Sequence, residues 1–448
     1  MKQFYLFGFL FFSLTVNAQR FEWATTAGYA TPIANGFFGS LDLAKDSQNN
    51  IYTADQANLA QQCQEDTVDV IGGSSSFIYK FNDEGELLNL FTIGGQNLVL
   101  NLEVGENDNL YVLLFTSTSE MTIGDEVISE LDDHENYLLK FASDGQFLGY
   151  FDTGYSNASS CMMIYANESI YVQTGQVEVS RLDENFNVLN VFEADAFSSP
   201  SSAIGIQFKG ATALSNGDVV FSALSLGTLT IGEDILSTPV NVFLHKPFLV
   251  MKCSASLEPQ WNTYFRNFRD PDQKFIPMTS DINDDIYINV QVTDTCVVGN
   301  DTIFNPAGAS NMGMGGLIKI NSLGEGQWAK TIVTGGSAFA WSICSVPGEA
   351  GVMVGGGFNL SLTLDDFIFE NADGNAFLAR INADGEVENA FTYLTPIVQA
   401  DPRFLINDGA DHFFVSGKLA SNIVPTFSCT DYLPNRGFYL AKVSQFLR

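Results

Sequence analysis

A strand, a polar turn and a second strand recur seven times along this chain, and nothing else in the sequence constrains the fold as strongly. The copies read LDLAKDSQNNIYTAD at 41–55, LEVGENDNLYVLLF at 102–115, CMMIYANESIYVQT at 161–174 and ATALSNGDVVFSAL at 211–224. They continue as SDINDDIYINVQV at 280–292, SICSVPGEAGVMVGGG at 342–357 and RFLINDGADHFFVSG at 403–417. In each, short alternating apolar runs flank a cluster of Asn, Asp, Gly or Ser, the pattern of a β-hairpin. Tyr52, Tyr111, Tyr171, Val220, Tyr287, Met353 and Phe414 mark one equivalent position, separated by 59, 60, 49, 67, 66 and 61 residues. A period of this size signals a repeat architecture.

Two further segments complete the unit. A shorter hairpin appears as MTIGDEVIS at 121–129, LTIGEDILS at 229–237, VVGNDTIFN at 297–305 and LTLDDFIFE at 362–370, with a looser version at 66–74. The third copy lacks it, and VQTGQVEV runs directly onward. Then comes a strand, a turn carrying Gly or Asn, and an outer strand, as in FIYKFNDEGELLNLFTIGG at 77–95 and GLIKINSLGEGQWAKTIVTG at 316–335. The seventh copy, FYLAKVSQFLR at 438–448, stops before any outer strand, whereas FEWATTAGY at 21–29 resembles GQWAKTIVTG, with Trp23 matching Trp328 and Trp261. The amino-terminal strand therefore supplies the missing piece and closes a ring. We expect an all-β, seven-bladed β-propeller of four-stranded blades in one domain over 19–448, a form that limits exposed sheet edges by radial repetition. The short third copy leaves six or eight blades open.

Lys or Arg after the third strand, a turn Gly and then Trp-Ala, as in LIKINSLGEGQWAKTIVTG, resemble the bacterial β-propeller repeat of secreted proteins. NDDIYINV and DNLYVLL resemble another portion of that repeat. The resemblance covers nearly the whole chain after residue 18 in degenerate copies, and it implies fold and export but no catalytic residues. The amino terminus agrees: Met1 and Lys2 precede an apolar stretch, Phe4 to Leu14, and Val16-Asn17-Ala18 matches a signal-peptidase site. We expect cleavage after Ala18, a secreted, periplasmic or cell-surface monomer, and no membrane-spanning segment thereafter.

With 52 acidic and 20 basic residues, the chain carries a net charge of −32. Such a chain repels phosphate backbones and anionic lipid, so nucleic acid is not an expected partner. No cofactor or metal is expected: turns such as NDEGEL and NADGEV lack the alternating acidic ligands of an EF-hand, and surface calcium has no motif behind it. The three histidines lie in different copies, and no GxSxG elbow precedes a helix, so no catalytic residues are assigned. The six cysteines form no CxxC pair. Cys63 and Cys429 fall in comparable middle regions of the first and last copies, which ring closure makes neighbours, and a disulfide between them would staple the seam.

Propellers most often bind ligands at the mouth of the central channel, on the loops leading into each innermost strand. Here those loops carry Phe37, Phe38, Tyr155, Phe339 and Trp341 with Lys209, Arg266, Arg269, Lys274 and Arg403. Aromatic faces beside cations suit a glycan, a peptide or another exported protein. The same aromatics also suit packing between blades. The alternatives are a polysaccharide hydrolase or lyase and an envelope component without a ligand.

Overall fold

The computed structural model describes residues 21–29, 42–57, 61–63, 66–68, 75–156, 161–197, 205–226, 228–231, 234–237, 246–268, 276–292, 295–304, 314–334, 338–358, 360–370, 376–393, 400–410, 412–419 and 437–444. Every regular element among them is a β-strand. The strands form seven four-stranded antiparallel blades, giving the seven-bladed propeller the repeats call for. Blade 1 runs outward from Leu43–Lys45 through Ile51–Ala57 and Ser75–Phe81 to Leu87–Gly94. Blade 7 contains Ala400–Asn407, His412–Leu419 and Gly437–Ser444, and its outer strand is Phe21–Tyr29 from the other end of the chain. Trp23 lies opposite Lys442 and Gly28 opposite Gly437.

The same contacts join one blade to the next wherever the repeat is intact. A basic residue on the third strand faces the residue that marks the second: Lys80 opposite Tyr52, Lys140 opposite Tyr111 and Lys319 opposite Tyr287. Lys80 Nζ lies 4.9 Å from the Tyr52 ring centroid, 3.1 Å from Asp46 and 2.9 Å from the Ser143 carbonyl in the outer turn of blade 2. Lys140 and Lys319 likewise donate to Glu184 and Ala383 carbonyls of the following blades. At Lys80 and Lys319 cation–π attraction, an ion pair and a hydrogen bond thus use one side chain, and Lys140 combines the ring contact with the hydrogen bond.

The tryptophans do related work further out. Trp23, Trp261 and Trp328 donate their indole N–H to the carbonyls of Asp83, Ser322 and Ala383 in the next blade's outer turn. Gly85, Gly324 and Gly385 of those turns lie beneath the rings, and each has φ between 83° and 86°. Between blades 2 and 3 the residue types are exchanged. The outer strand carries Gly149, and the turn carries Phe186, whose ring lies 6.1 Å from that of Phe151.

The short hairpins leave their own blade. Glu120–Ile123, from blade 2, pairs with the outer strand of blade 1, Ile123 opposite Ile93. Thr228–Ile231 pairs with Asp195–Phe197, and Ser361–Leu364 with Val333–Thr334, each at the end of the preceding blade's outer edge. The first-copy hairpin spans Gln61–Cys63 and Asp66–Val68 rather than 66–74, and it pairs with the closing strand, Cys63 opposite Ala27. Blade 3 has only the short connection 174–177, as its sequence indicates.

Candidate functional site

The innermost strands surround the propeller axis, and their irregularities position the expected binding residues. In blades 2, 4, 6 and 7 the pairing slips between Val99 and Asn101, Phe208 and Gly210, Ala340 and Ser342, and Pro402 and Phe404. The extra residues at these bulges are Leu100, Lys209, Trp341 and Arg403. A bulge bends its strand and re-aims a side chain. Three of the ten expected residues therefore share one structural position. Leu100 is fully buried there, and Lys209 is only 5% exposed. Arg403 is half-buried. Lys209 is thus enclosed within the blades rather than displayed at a rim.

The other expected residues are more scattered. Tyr155 is half-buried, follows the outer strand of blade 2 and packs on the cluster containing Leu100 and Cys161. Arg266 belongs to Pro259–Phe268, the outer strand of blade 4. Phe339 shares the inner strand Ala338–Ser345 with Trp341. Phe37, Phe38, Arg269, Lys274 and Cys429 lie outside the described residues, as does the segment 1–18 expected to be a leader.

Two carboxylates absent from the expected set stand at the inner strands: Asp42 immediately before Leu43–Lys45 in blade 1, and Glu103 within Asn97–Val104 in blade 2. Asp42 accepts from the backbone N–H groups of Leu43 and Leu102, at 2.8 and 2.7 Å, and from the Asn101 amide. Burial outweighs these bonds and pushes its carboxyl up to about 6. Glu103 is pushed well above the usual carboxylate range, first by burial and then by the negative charge of Asp42, against one backbone hydrogen bond from Tyr165. By strand register Glu103 corresponds to Ala44, Thr212, Thr279, Cys344 and Ile406, all uncharged. An acid where the other copies carry none is a signal readable in the aligned repeats. Two buried carboxyls that interact, both held above the usual carboxylate range, are suited to exchanging a proton.

A second acidic group lies at the loop end of blade 2. Carboxylate oxygens of Asp132, Glu135 and Asp152 fall within 4.8 Å of one another. Burial first, and then the neighbouring acids, raise Glu135. Calcium takes about six to eight oxygen ligands, so three are an incomplete set and no metal is assigned to them.

No protein-family model matches the chain, and no curated protein does. Solved structures similar to it include the Dos1 propeller, 11% identical over 94% of each chain with a TM-score of 0.47. BamB from Moraxella catarrhalis is 10% identical over 86% of this chain and 96% of its own, with a TM-score of 0.40. A protein of unknown function from Bacteroides caccae is 11% identical over 69% and 93%, with a TM-score of 0.33. Scores this low add nothing to the propeller that the strand pairing already establishes.

Proposed function

We propose that the chain is a secreted recognition or scaffold module that presents its variable loop face to a glycan, a peptide or another exported protein. One observation carries this reading: the two faces of the disc are built differently. On one face the outer turns at 82–86, 142–146, 183–187, 254–258 and 321–325 all have five residues and are locked to their neighbours. On the other, connections range from 95–96 to 117–134 and 293–313. Insertions confined to one face of a repeat protein commonly build its binding surface. The leader ending at Ala18 and the resemblance to secreted propeller repeats support export.

The test is a glycan-array and peptide-library screen with residues 19–448, with and without calcium, beside a Phe38→Ala, Trp341→Ala variant. Saturable binding lost in the variant supports the reading. Binding that survives it moves the site off this face.

The Asp42 and Glu103 pair favours a second reading, a polysaccharide hydrolase or lyase. Turnover of an array-positive glycan that disappears in Glu103→Gln while binding persists would establish it.

A further inference from the structure

The outer strands can be compared position by position, because the third-strand basic residue fixes their register. Opposite it stand Asn89, Gly149, Asn190, Trp261, Trp328, Asn389 and Trp23 in blades 1 to 7. The residue before each is Leu88, Leu148 and Leu189 in blades 1 to 3, but Gln260, Gln327, Glu388 and Glu22 in blades 4 to 7. The residue after each is Leu90, Tyr150 and Val191, then Asn262, Ala329, Ala390 and Ala24. Leu88, Leu148, Tyr150, Val188, Leu189 and Val191 are 43 to 52% exposed. Among the described residues, the outer strands of blades 4 to 7 expose no large apolar side chain to a comparable degree.

Sheet edges are normally blunted by charge, and here the charge pattern is one-sided. Residues 82–208 contain 21 acidic residues and only two basic ones, against 31 and 18 in the rest of the chain. The two are Lys140, held by the Glu184 carbonyl at 2.7 Å, and Arg181, whose Nε donates to Ser169 at 3.0 Å. Asp144, Asp152 and Glu193 are exposed on or beside these outer strands. In blade 3, Val188–Glu193 is the terminal strand of its sheet, so its outer backbone edge has no strand partner among the described residues. No hairpin reaches blade 2 from blade 3 either, because 174–177 is too short to form one.

We propose that the rim of blades 2 and 3 is a docking surface for a cationic, apolar-alternating extended segment of a partner protein, which adds as a strand to the edge Val188–Glu193. Main-chain pairing then supplies affinity, and alternating side chains meet Leu189 and Val191 on one side. Charge selects the occupant. A second copy of this chain brings the same acidic rim, and an anionic membrane surface is repelled. This surface is separate from the loop face, and it stands or falls independently of the function proposed there.

The experiment uses the full chain and a fluorescent peptide of alternating lysine and valine, with an alternating glutamate and valine peptide as control. Anisotropy should show saturable binding of the first and none of the second, and hydrogen exchange should slow at the amides of 188–193. Leu189→Gln with Val191→Asn gives blade 3 the residues of blade 4, and it should weaken binding at least about tenfold, the usual scale for losing an anchor. An unchanged melting temperature shows that the variant is folded. Phe38→Ala, Trp341→Ala should bind the peptide as the parent does. Equal binding by parent and rim variant overturns the proposal. So does self-association by light scattering that vanishes in the rim variant, because the occupant would then be a second copy.

Discussion

Trp23 lies over Gly85 at the seam where the two ends of the chain meet, so closely that a methyl group on Gly85 would come within 2.6 Å of the indole ring. Gly85 also has φ of 83°, a conformation that costs other residues. Gly85→Ala should therefore destabilise the protein by about 2–3 kcal/mol. Gly124→Ala is the control: its φ is 59° but nothing lies within 4 Å, so it should cost only about 1 kcal/mol. Urea unfolding of both variants separates ring contact from backbone strain.

Lys319 ties blade 5 to blade 6 from a nearly enclosed position, with Nζ 2.7 Å from Asp285 and 2.9 Å from the Ala383 carbonyl. Removing one partner of such a pair leaves the other poorly compensated. Lys319→Ala should cost about 2–4 kcal/mol, below the fully buried limit because Asp285 keeps 19% of its side-chain surface exposed. Lys319→Met keeps the packed stem and should cost less, as read from the same urea midpoints.

Asp42 predicts a pH dependence of defined sign. Its folded value of about 6 lies above its ordinary 3.8, so between these values the folded state holds a proton that the unfolded chain has released. Its contribution is fully present below the lower value and is lost as pH rises through the upper one. Asp42→Asn should gain about 1–2 kcal/mol relative to the parent between pH 4 and pH 7, allowing for partial exposure. Melting temperatures across that range that run parallel for the two proteins would contradict it.

Burial pushes the thiols of Cys161, Cys253 and Cys296 up to about 12, and Cys344 is raised as well. All four are free and buried. Iodoacetamide at pH 8 should leave them unlabelled in the native protein and label them after unfolding, because the thiolate is the reactive form. Non-reducing peptide maps of the same samples test the Cys63–Cys429 disulfide expected from sequence.

What the chain revealed before its structure was mostly local. Alternation and turn residues exposed the seven hairpins, and the absent outer strand after Phe438 pointed to Trp23. The hairpin-poor third copy was visible for the same reason. The destinations of the short hairpins were hidden, because nothing in MTIGDEVIS tells whether its edge meets its own outer strand or the Ile93 edge one blade back. Polar Gln61 and Gln62 also concealed the first hairpin, which the apolar run after it had placed later. Trp and Gly each stood out in the repeats, yet Trp23 and Asp83 are partners across 60 residues, a relation no single copy contains. At the candidate site, the loop assignments did not show that Lys209 and Arg403 sit at bulges, since an extra residue in one strand is defined only by its partner strand.

Ring closure also fixes an order in time. Phe21–Tyr29 is synthesised well before its partner, Gly437–Ser444, with six blades between them in the chain. Until that strand emerges, Phe21–Tyr29 can pair only with Gln61–Cys63 and has no blade to complete. The native seam therefore cannot close until the seventh blade has been synthesised. A chain interrupted before Gly437–Ser444 leaves Phe21–Tyr29 and His412–Leu419 without the strand that joins them.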